Sequence, residues 1–440
     1  MATLSIIHPR YHNIEYSVMD LPGTNFFKFE IHSEMGAHIE RSYPKTLPEH
    51  ETKNIYGISH LIEHMSFKSP ADYTTDGLMA NLKRYGTYNA WTNFEEVAYY
   101  FETLADRENV MWAISMVFNI AFNDLSKVTQ EEFETERNVV YNEIKRYHDD
   151  AQTMFSFRFS PNIYGNNEFD DILGDPETLI KFDLETLQEV KRIFINEAPL
   201  TMTITYDSTR MNLDDIFSMI DAEREKLNPM HPKLEYTYDM YLEGIKSVEW
   251  DYRIKQVASD ASQHLYMAAI RVPVPEMSVL ARACASYIGQ SAHNESLNEI
   301  IREQHGLTYG ISFSVEEMTN KELAMVFSCD VEPQNADLLD TLFVDTLRAV
   351  VENLTEEKFN NYKETLLLKD TMALLNQRAL MNLHNWPNNC TDFGKYEELF
   401  KEDGMKGREK VFAEVLTYPK FLSYCQRVVA GMDSMIRIHT

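Results

Sequence analysis

His60, Glu63 and His64 occupy positions i, i+3 and i+4 of the run His60-Leu61-Ile62-Glu63-His64. On a helix those positions share one side. Two imidazoles one turn apart can hold a single zinc ion, and a carboxylate beside them can take a proton from the water that the ion binds. The competing reading is a pair of core histidines with an acid between them. A short pattern like this also arises by composition alone in a chain of 440 residues. What separates the two readings is a third ligand and a fold that delivers it.

A catalytic zinc takes three protein ligands and keeps one position open. The stretch from Glu131 to His148 reads as a helix and offers Glu131, Glu132, Glu134, Glu136 and Glu143. Glu136 and Glu143 are two turns apart and share a face. Val139 and Val140 are expected to pack inward and carry Glu143 with them, whereas Glu131, Glu132 and Glu134 suit a solvated face. Zinc brings the pKa of a bound water near neutrality and polarises a carbonyl. Glu63 is then best used as the base that accepts the water proton and delivers it to a leaving amine. Two imidazoles and one carboxylate suit zinc, although manganese or cobalt accept the same donors.

The elements that must position these groups can be read from pattern. Phe26 to Ile31 is a strand, and a proline-bearing loop from Arg41 to Lys53 leads to the histidine pair. The helix carrying His60 is expected to begin near Gly57 to Ser59, with Ser59 or Asn54 as its cap, and to end near Lys68 to Pro70. A second helix opens at Thr74-Thr75-Asp76-Gly77 and stops at Gly86 in a left-handed conformation. Tyr88 to Phe101 alternates as two strands with a turn at Asn93 to Glu96. Helices follow at Asp106 to Ala121, Gln130 to His148 and Asp183 to Ile195, then a strand at Leu200 to Tyr206.

Lys226 to Tyr236 holds Pro229 and Pro232, has no periodicity and reads as a linker. Beyond it the pattern restarts. Strands are expected at Leu265 to Val272, Tyr309 to Val315 and Leu323 to Asp330. Helices are expected at Val279 to Ile288, Ser296 to Gln304, Ala336 to Leu354 and Glu356 to Leu375. Leu78 to Gly86 and Leu297 to Gly306 are both apolar-periodic helices ended by glycine ahead of a strand pair, which points to a duplicated module. The fold class is therefore α+β, with residues 1–228 as the metal-binding module and 229–440 as a homologous module lacking the histidine pair.

Sixty-nine acids against 41 Lys plus Arg give a formal net charge of −28, which argues against binding a phosphate backbone. The same charge suits solubility and is compatible with a basic peptide as substrate. Cys284, Cys329, Cys390 and Cys425 form no close pair in sequence and read as reduced, buried thiols. Met1 to Arg10 lacks the layout of a signal peptide, and no apolar run reaches membrane-span length. These features imply a cytoplasmic protein with no membrane partner.

The run His60 to His64 continues as Met65-Ser66-Phe67-Lys68. With Tyr88-Asn89-Ala90-Trp91-Thr92 and Glu136-Arg137-Asn138-Val139-Val140-Tyr141-Asn142-Glu143, it resembles the pitrilysin/insulinase family of zinc peptidases, over nearly the whole chain. The order His-x-x-Glu-His is the reverse of the more common zinc-peptidase motif. The length is similar to the processing-peptidase-like branch. The resemblance implies one zinc per chain on His60, His64 and Glu143, Glu63 as base, and Glu136 as a supporting acid. It also implies that Asn89 and Ala90 lie on an edge strand to which a peptide can add by main-chain hydrogen bonds.

Ile301-Arg302-Glu303-Gln304-His305-Gly306-Leu307-Thr308-Tyr309 resembles the family's arginine and tyrosine pair. By that resemblance Arg302 holds a substrate carbonyl and Tyr309 donates to the tetrahedral intermediate, a contribution of roughly 2.7–4 kcal/mol for such a donor. Larger members place four modules around a chamber, like a clamshell. A two-module chain is then expected to form a homodimer, with Arg302 and Tyr309 acting in trans. The interval between His64 and Glu143 is slightly long for the family. The implied function is a zinc metalloendopeptidase acting on unfolded peptides. The alternatives are a noncatalytic scaffold or partner subunit, and a metal-dependent hydrolase of another substrate.

Overall fold

The computed structural model describes residues 5–7, 10–11, 14–42, 55–70, 73–164, 172–174, 176–196, 198–227, 254–256, 264–273, 278–290, 296–319, 322–373 and 413–440. The chain divides into two units: Met1–Tyr147 with Phe169–Tyr241, and His148–Glu168 with Leu242–Thr440. The loop expected at Arg41 to Lys53 lies outside the described residues from 43 on. So do most of the expected linker, the boundary at 228/229, Asn54 and Cys390.

The first unit contains strands β1 (Ser5–Ile7), β2 (Arg10–Tyr11), β3 (Ile14–Asp20), β4 (Phe26–Ser33), β5 (Thr87–Thr92), β6 (Val97–Leu104) and β7 (Leu200–Tyr206). They form one sheet in the order β1-β3-β7-β4-β6-β5, with β2 also on β3. Among the described residues of this sheet only β3 and β7 run parallel. Along β4, Phe27, Phe29 and Ile31 alternate with Lys28, Glu30 and His32, so the apolar three share one face. That face meets the helices in a core with Leu61, Ile62, Ile114, Val117, Val140 and Ile144.

Those helices are α1 (Ile39–Ser42), α2 (Ile58–Met65), α3 (Thr75–Tyr85), α4 (Arg107–Ala121) and α5 (Gln130–His148). After α6 (Ala151–Tyr164) come α7 (Pro176–Leu179), α8 (Leu184–Asn196) and α9 (Leu213–Arg224). Helix α6 follows directly on α5 in sequence yet belongs to the second unit. Its Phe155, Phe159 and Ile163 pack on Met267, Ala269, Val326 and Ile438 of that unit's sheet.

The second sheet contains β8 (Ile254–Gln256), β9 (Leu265–Pro273), β10 (Ser312–Thr319), β11 (Glu322–Asp330) and β12 (Ile436–His439), ordered β10-β11-β9-β12-β8. Its other face carries α10 (Ser278–Gln290), α11 (Ala336–Glu352), α12 (Glu356–Ala373) and α13 (Tyr418–Ala430). Numbering five strands of each unit in sequence, β3 to β7 and β8 to β12, gives the same spatial order, third-fourth-second-fifth-first. In both sheets the fifth and first are the parallel pair. Two homologous modules, each a mainly antiparallel sheet covered by helices, account for this repetition.

Several local expectations are corrected. Helix α2 begins after Gly57, not on a Ser59 cap, and the carboxylate of Glu40 instead accepts from the N–H of Gly57 (2.7 Å) and Ser59 (2.9 Å). The helix ends at Met65, because Phe67 and Lys68 close tighter turns onto His64 and Met65. Gly86 is extended (φ 170), not left-handed. It lies against the carbonyl of Glu102, where a side chain would collide. In α5 the inward pair is Val140 and Ile144, and Val139 is 47% exposed. Residues 298–304 form a π-helical segment, with Gly306 left-handed after it (φ 61). Cys284 on α10 and Cys425 on α13 are brought side by side, and Cys329 is a buried free thiol.

Candidate metal centre

Helix α2 is short and largely buried: Ile58, Leu61, Ile62 and Met65 face the core. Each fully buried apolar chain of this size contributes roughly 1.5–3 kcal/mol, so four of them fix which way the helix faces. The remaining face carries His60, Glu63 and His64. Helix α5 is fixed in the same way by Phe133, Val140 and Ile144, and it presents Glu136 and Glu143.

The two helices bring His60, His64 and Glu143 together. One potential ligand atom from each lies within 4.8 Å of the others. Glu143 Oε2 is 3.4 Å from His64 Nε2 and 3.9 Å from His60 Nε2. Donors bonded at about 2.1 Å around a tetrahedral zinc stand roughly 3.4 Å apart, so the two separations to Glu143 approach that spacing and the donor types suit the ion. Burial pushes the pKa of His60 down to about 3, with a further lowering from His64, which keeps it in the neutral form that ligates. Its Nδ1 is buried without a hydrogen-bond partner among the described residues.

His64 differs. Glu136 Oε1 lies 2.9 Å from its Nδ1, which places a proton on Nδ1 and leaves the Nε2 lone pair toward Glu143. Burial pulls the pKa of His64 down, but that hydrogen bond and the charges of Glu63, Glu136 and Glu143 outweigh it and raise it. Glu136 is pushed up by burial and more strongly lowered by His64 and by Lys68, whose Nζ is 2.5 Å away.

Glu63 stands beside the three and is not one of them. Its Oε2 accepts a 2.6 Å hydrogen bond from Thr92 Oγ1 on β5. Burial raises its pKa, and the Thr92 bond and His64 offset part of that rise. A carboxylate so held is poised to take up a proton.

Strand β5 is the outer strand of its sheet and pairs with β6 among the described residues. Ala90 and Thr92 share the face toward α2, while the exposed Asn89 points to the other. In the second unit the guanidinium of Arg302 lies 5.0 Å over the Tyr309 ring, and Tyr309 is 85% exposed. Tyr309 precedes β10, which begins only at Ser312.

Four residues about the centre escape a reading of the sequence. Glu40 reaches α2 from 17 residues upstream, and no local pattern announces it. Thr92 sits in a run that points to Asn89 and Ala90. Lys68 has the appearance of a surface lysine. Glu132, expected on a solvated face, accepts from Ser69 and Thr75 at 2.8 Å each.

The sequence matches the model of the insulinase family (peptidase family M16) over residues 49–177 and that of the peptidase M16 inactive domain over residues 244–366. The second match falls on the half without the histidine pair, and together the two cover more than half of the chain. The chain belongs to the insulinase family, peptidase family M16. It is 34% identical over 142 residues to an uncharacterized zinc protease, YmxG, of Bacillus subtilis, a match spanning 32% of this chain and 34% of that one. The alignment thus covers about a third of that relative. An uncharacterized zinc protease of Rickettsia felis is 22% identical over 84% of this chain and 88% of its own. Among solved structures, a protease from Helicobacter pylori superposes with a TM-score of 0.74 at 16% identity, covering 100% of this chain and 99% of that chain. No helix among the described residues is long and apolar enough to cross a membrane.

Proposed function

We propose that the protein is a zinc-dependent metalloendopeptidase. The observation that carries this is the convergence of His60, His64 and Glu143 within 4.8 Å, with Glu63 held beside them by Thr92. His60, His64 and Glu143 would hold one zinc per chain. When bound, the ion would polarise a scissile carbonyl and acidify the attacking water. Glu63 takes the water proton at its carboxylate and passes it to the leaving nitrogen. Glu136 keeps His64 in the ligating tautomer. A peptide in extended form adds to the outer edge of β5 at Asn89 and Ala90. Unfolded segments suit this mode, because their main chain is free to pair, and the acidic charge of the chain favours basic ones.

The Arg302 and Tyr309 pair supplies donors for a substrate carbonyl and its developing oxyanion. In this reading two chains associate and the pair of one completes the metal centre of the other. Metal analysis with a quenched fluorescent peptide tests the activity. About one zinc per chain is expected, and Glu63→Gln should keep the metal while losing roughly 10²–10⁴-fold in rate. Absence of both zinc and cleavage would reject the reading. Mixing Glu63→Gln with Arg302→Ala chains tests the assembly: activity returns if the pair acts in trans and stays lost if it acts within one chain.

A further inference from the structure

Lys191 on α8 is fully buried, and nothing in the chemistry above uses it. Its Nζ donates to the hydroxyl of Ser66 (3.0 Å) and to the carbonyl of Ala121 (2.8 Å), and it lies 5.3 Å over the ring of Tyr99. Burial holds its pKa well below the ordinary lysine value. In either protonation state the nitrogen has enough N–H groups for both acceptors.

Both acceptors sit at helix ends. Ala121 is the last residue of α4, and Ser66 is the C-cap of the metal helix α2. A serine hydroxyl has one hydrogen and two lone pairs. Ser66 Oγ donates to the carbonyl of Ile62 at 2.7 Å, so it accepts from Lys191 and from the Tyr99 hydroxyl, 2.8 Å away. Its capacity is then full. Asn123, just beyond α4, adds a second tie through its amide to the carbonyls of Ser66 (3.0 Å) and Lys68 (2.8 Å). The carbonyls that a helix leaves unpartnered at its C-terminus are here gathered from two helices onto side chains of the interior. His64 lies two residues before Ser66, and Ile62 is the neighbour of Glu63.

We propose that Lys191 is a positioning residue for the metal centre, fixing the C-terminal end of α2 through Ser66 and with it the ring of His64. The inference rests on the zinc-peptidase reading of the site. Glu136 sets the rotation of the His64 ring, and Lys191 sets where the backbone that carries the ring ends.

Lys191→Met keeps nearly the same length and volume while removing both hydrogen bonds. Zinc affinity, measured by competition with a chelator, is expected to fall on the order of tenfold, the low end for groups behind a ligand. At saturating zinc, kcat should fall with KM within about twofold. Ser66→Ala should reproduce the loss, and the double variant should be no worse than either single one, because the two act as one unit. If Lys191→Met does not fold, Ser66→Ala carries the same test alone. Wild-type affinity and kcat in the folded variants overturn the role of Lys191 and leave the peptidase reading standing. A wild-type protein that takes up no zinc overturns both. Loss of stability with unchanged zinc affinity would make Lys191 a packing residue only and reject the proposal.

Discussion

Glu136 Oε1 bonds Nδ1 of His64 at 2.9 Å, on the ring edge opposite the Nε2 that faces Glu143. The same carboxylate holds Lys68 through its other oxygen. Glu136 therefore fixes the ring and raises its basicity without touching the ligand position. Glu136→Ala should weaken zinc binding by roughly 10–100-fold and leave the protein folded. Glu136→Gln, which can still accept from Nδ1, should lose less. Equal zinc affinity in wild type and Glu136→Ala by chelator competition would remove Glu136 from the centre.

Thr92 Oγ1 donates to the Glu63 carboxylate at 2.6 Å and ties the proposed base to the strand proposed to receive substrate. Thr92→Val keeps the shape and removes the donor. The base is then free to turn, and kcat is expected to fall about tenfold, or 1.4 kcal/mol, with zinc content unchanged. Steady-state kinetics with a peptide substrate checks this. An unchanged kcat would mean that Glu63 needs no orienting partner.

The parts of this architecture legible in the sequence are those set by local periodicity. The alternation in Phe26 to Ile31 and the spacing of His60, Glu63 and His64 report strand and helix faces directly. Spacing puts Glu136 and Glu143 on one helix face, but the choice of Glu143 as third ligand rests on the family resemblance. Tertiary partners were not legible. Val139 and Val140 are equally apolar, and only the packing of α5 decides that Val140 goes inward. Gly86 has the position of a helix stop, yet its conformation answers to the neighbouring Glu102 carbonyl. Lys191 lies on an amphipathic helix directly beside Arg192, and the adjacent pair of cations gives no sign that the lysine is the buried one. The departure of α6 to the second unit follows from which sheet Phe155, Phe159 and Ile163 meet. The pairing of Arg302 with Tyr309 rested on family resemblance, and the structure places the two in contact without fixing their task.

Asp207, just after β7, accepts four hydrogen bonds: from the N–H of Gly23 (2.8 Å), Asn25 (2.7 Å) and Thr209 (2.9 Å), and from the Thr209 hydroxyl (2.6 Å). Burial pushes its pKa up, but these bonds outweigh it and hold the carboxyl at about 2, below the ordinary 3.8. A depressed carboxylate stabilises the fold above its unfolded pKa, and that stability is lost as pH falls from about 4 toward 2. Asp207→Asn turns an N–H toward backbone N–H groups and should cost about 1–3 kcal/mol at pH 7. The gap between the two proteins should narrow as pH drops through that window. Urea unfolding between pH 2 and 7 measures it, and a gap independent of pH would sink the assignment.

Gly57 and Gly174 meet backbone to backbone at the start of α2. Both have positive φ (87 and 78), and a Cβ on Gly57 would lie 2.6 Å from the Leu173 carbonyl and 2.8 Å from Gly174 Cα. Gly23 has a similar φ of 81 with nothing within 4 Å of where a Cβ would stand, so it reports the conformational cost alone. Gly23→Ala should destabilise by about 1–2 kcal/mol. Gly57→Ala adds a collision with backbone that has no side-chain freedom to yield, and the start of α2 must shift away from Glu40. It should therefore lower Tm more than Gly23→Ala and also weaken zinc binding, which Gly23→Ala should leave alone. Equal melting temperatures and equal zinc affinities in the two variants would show that the contact between the glycines has no part in seating the helix.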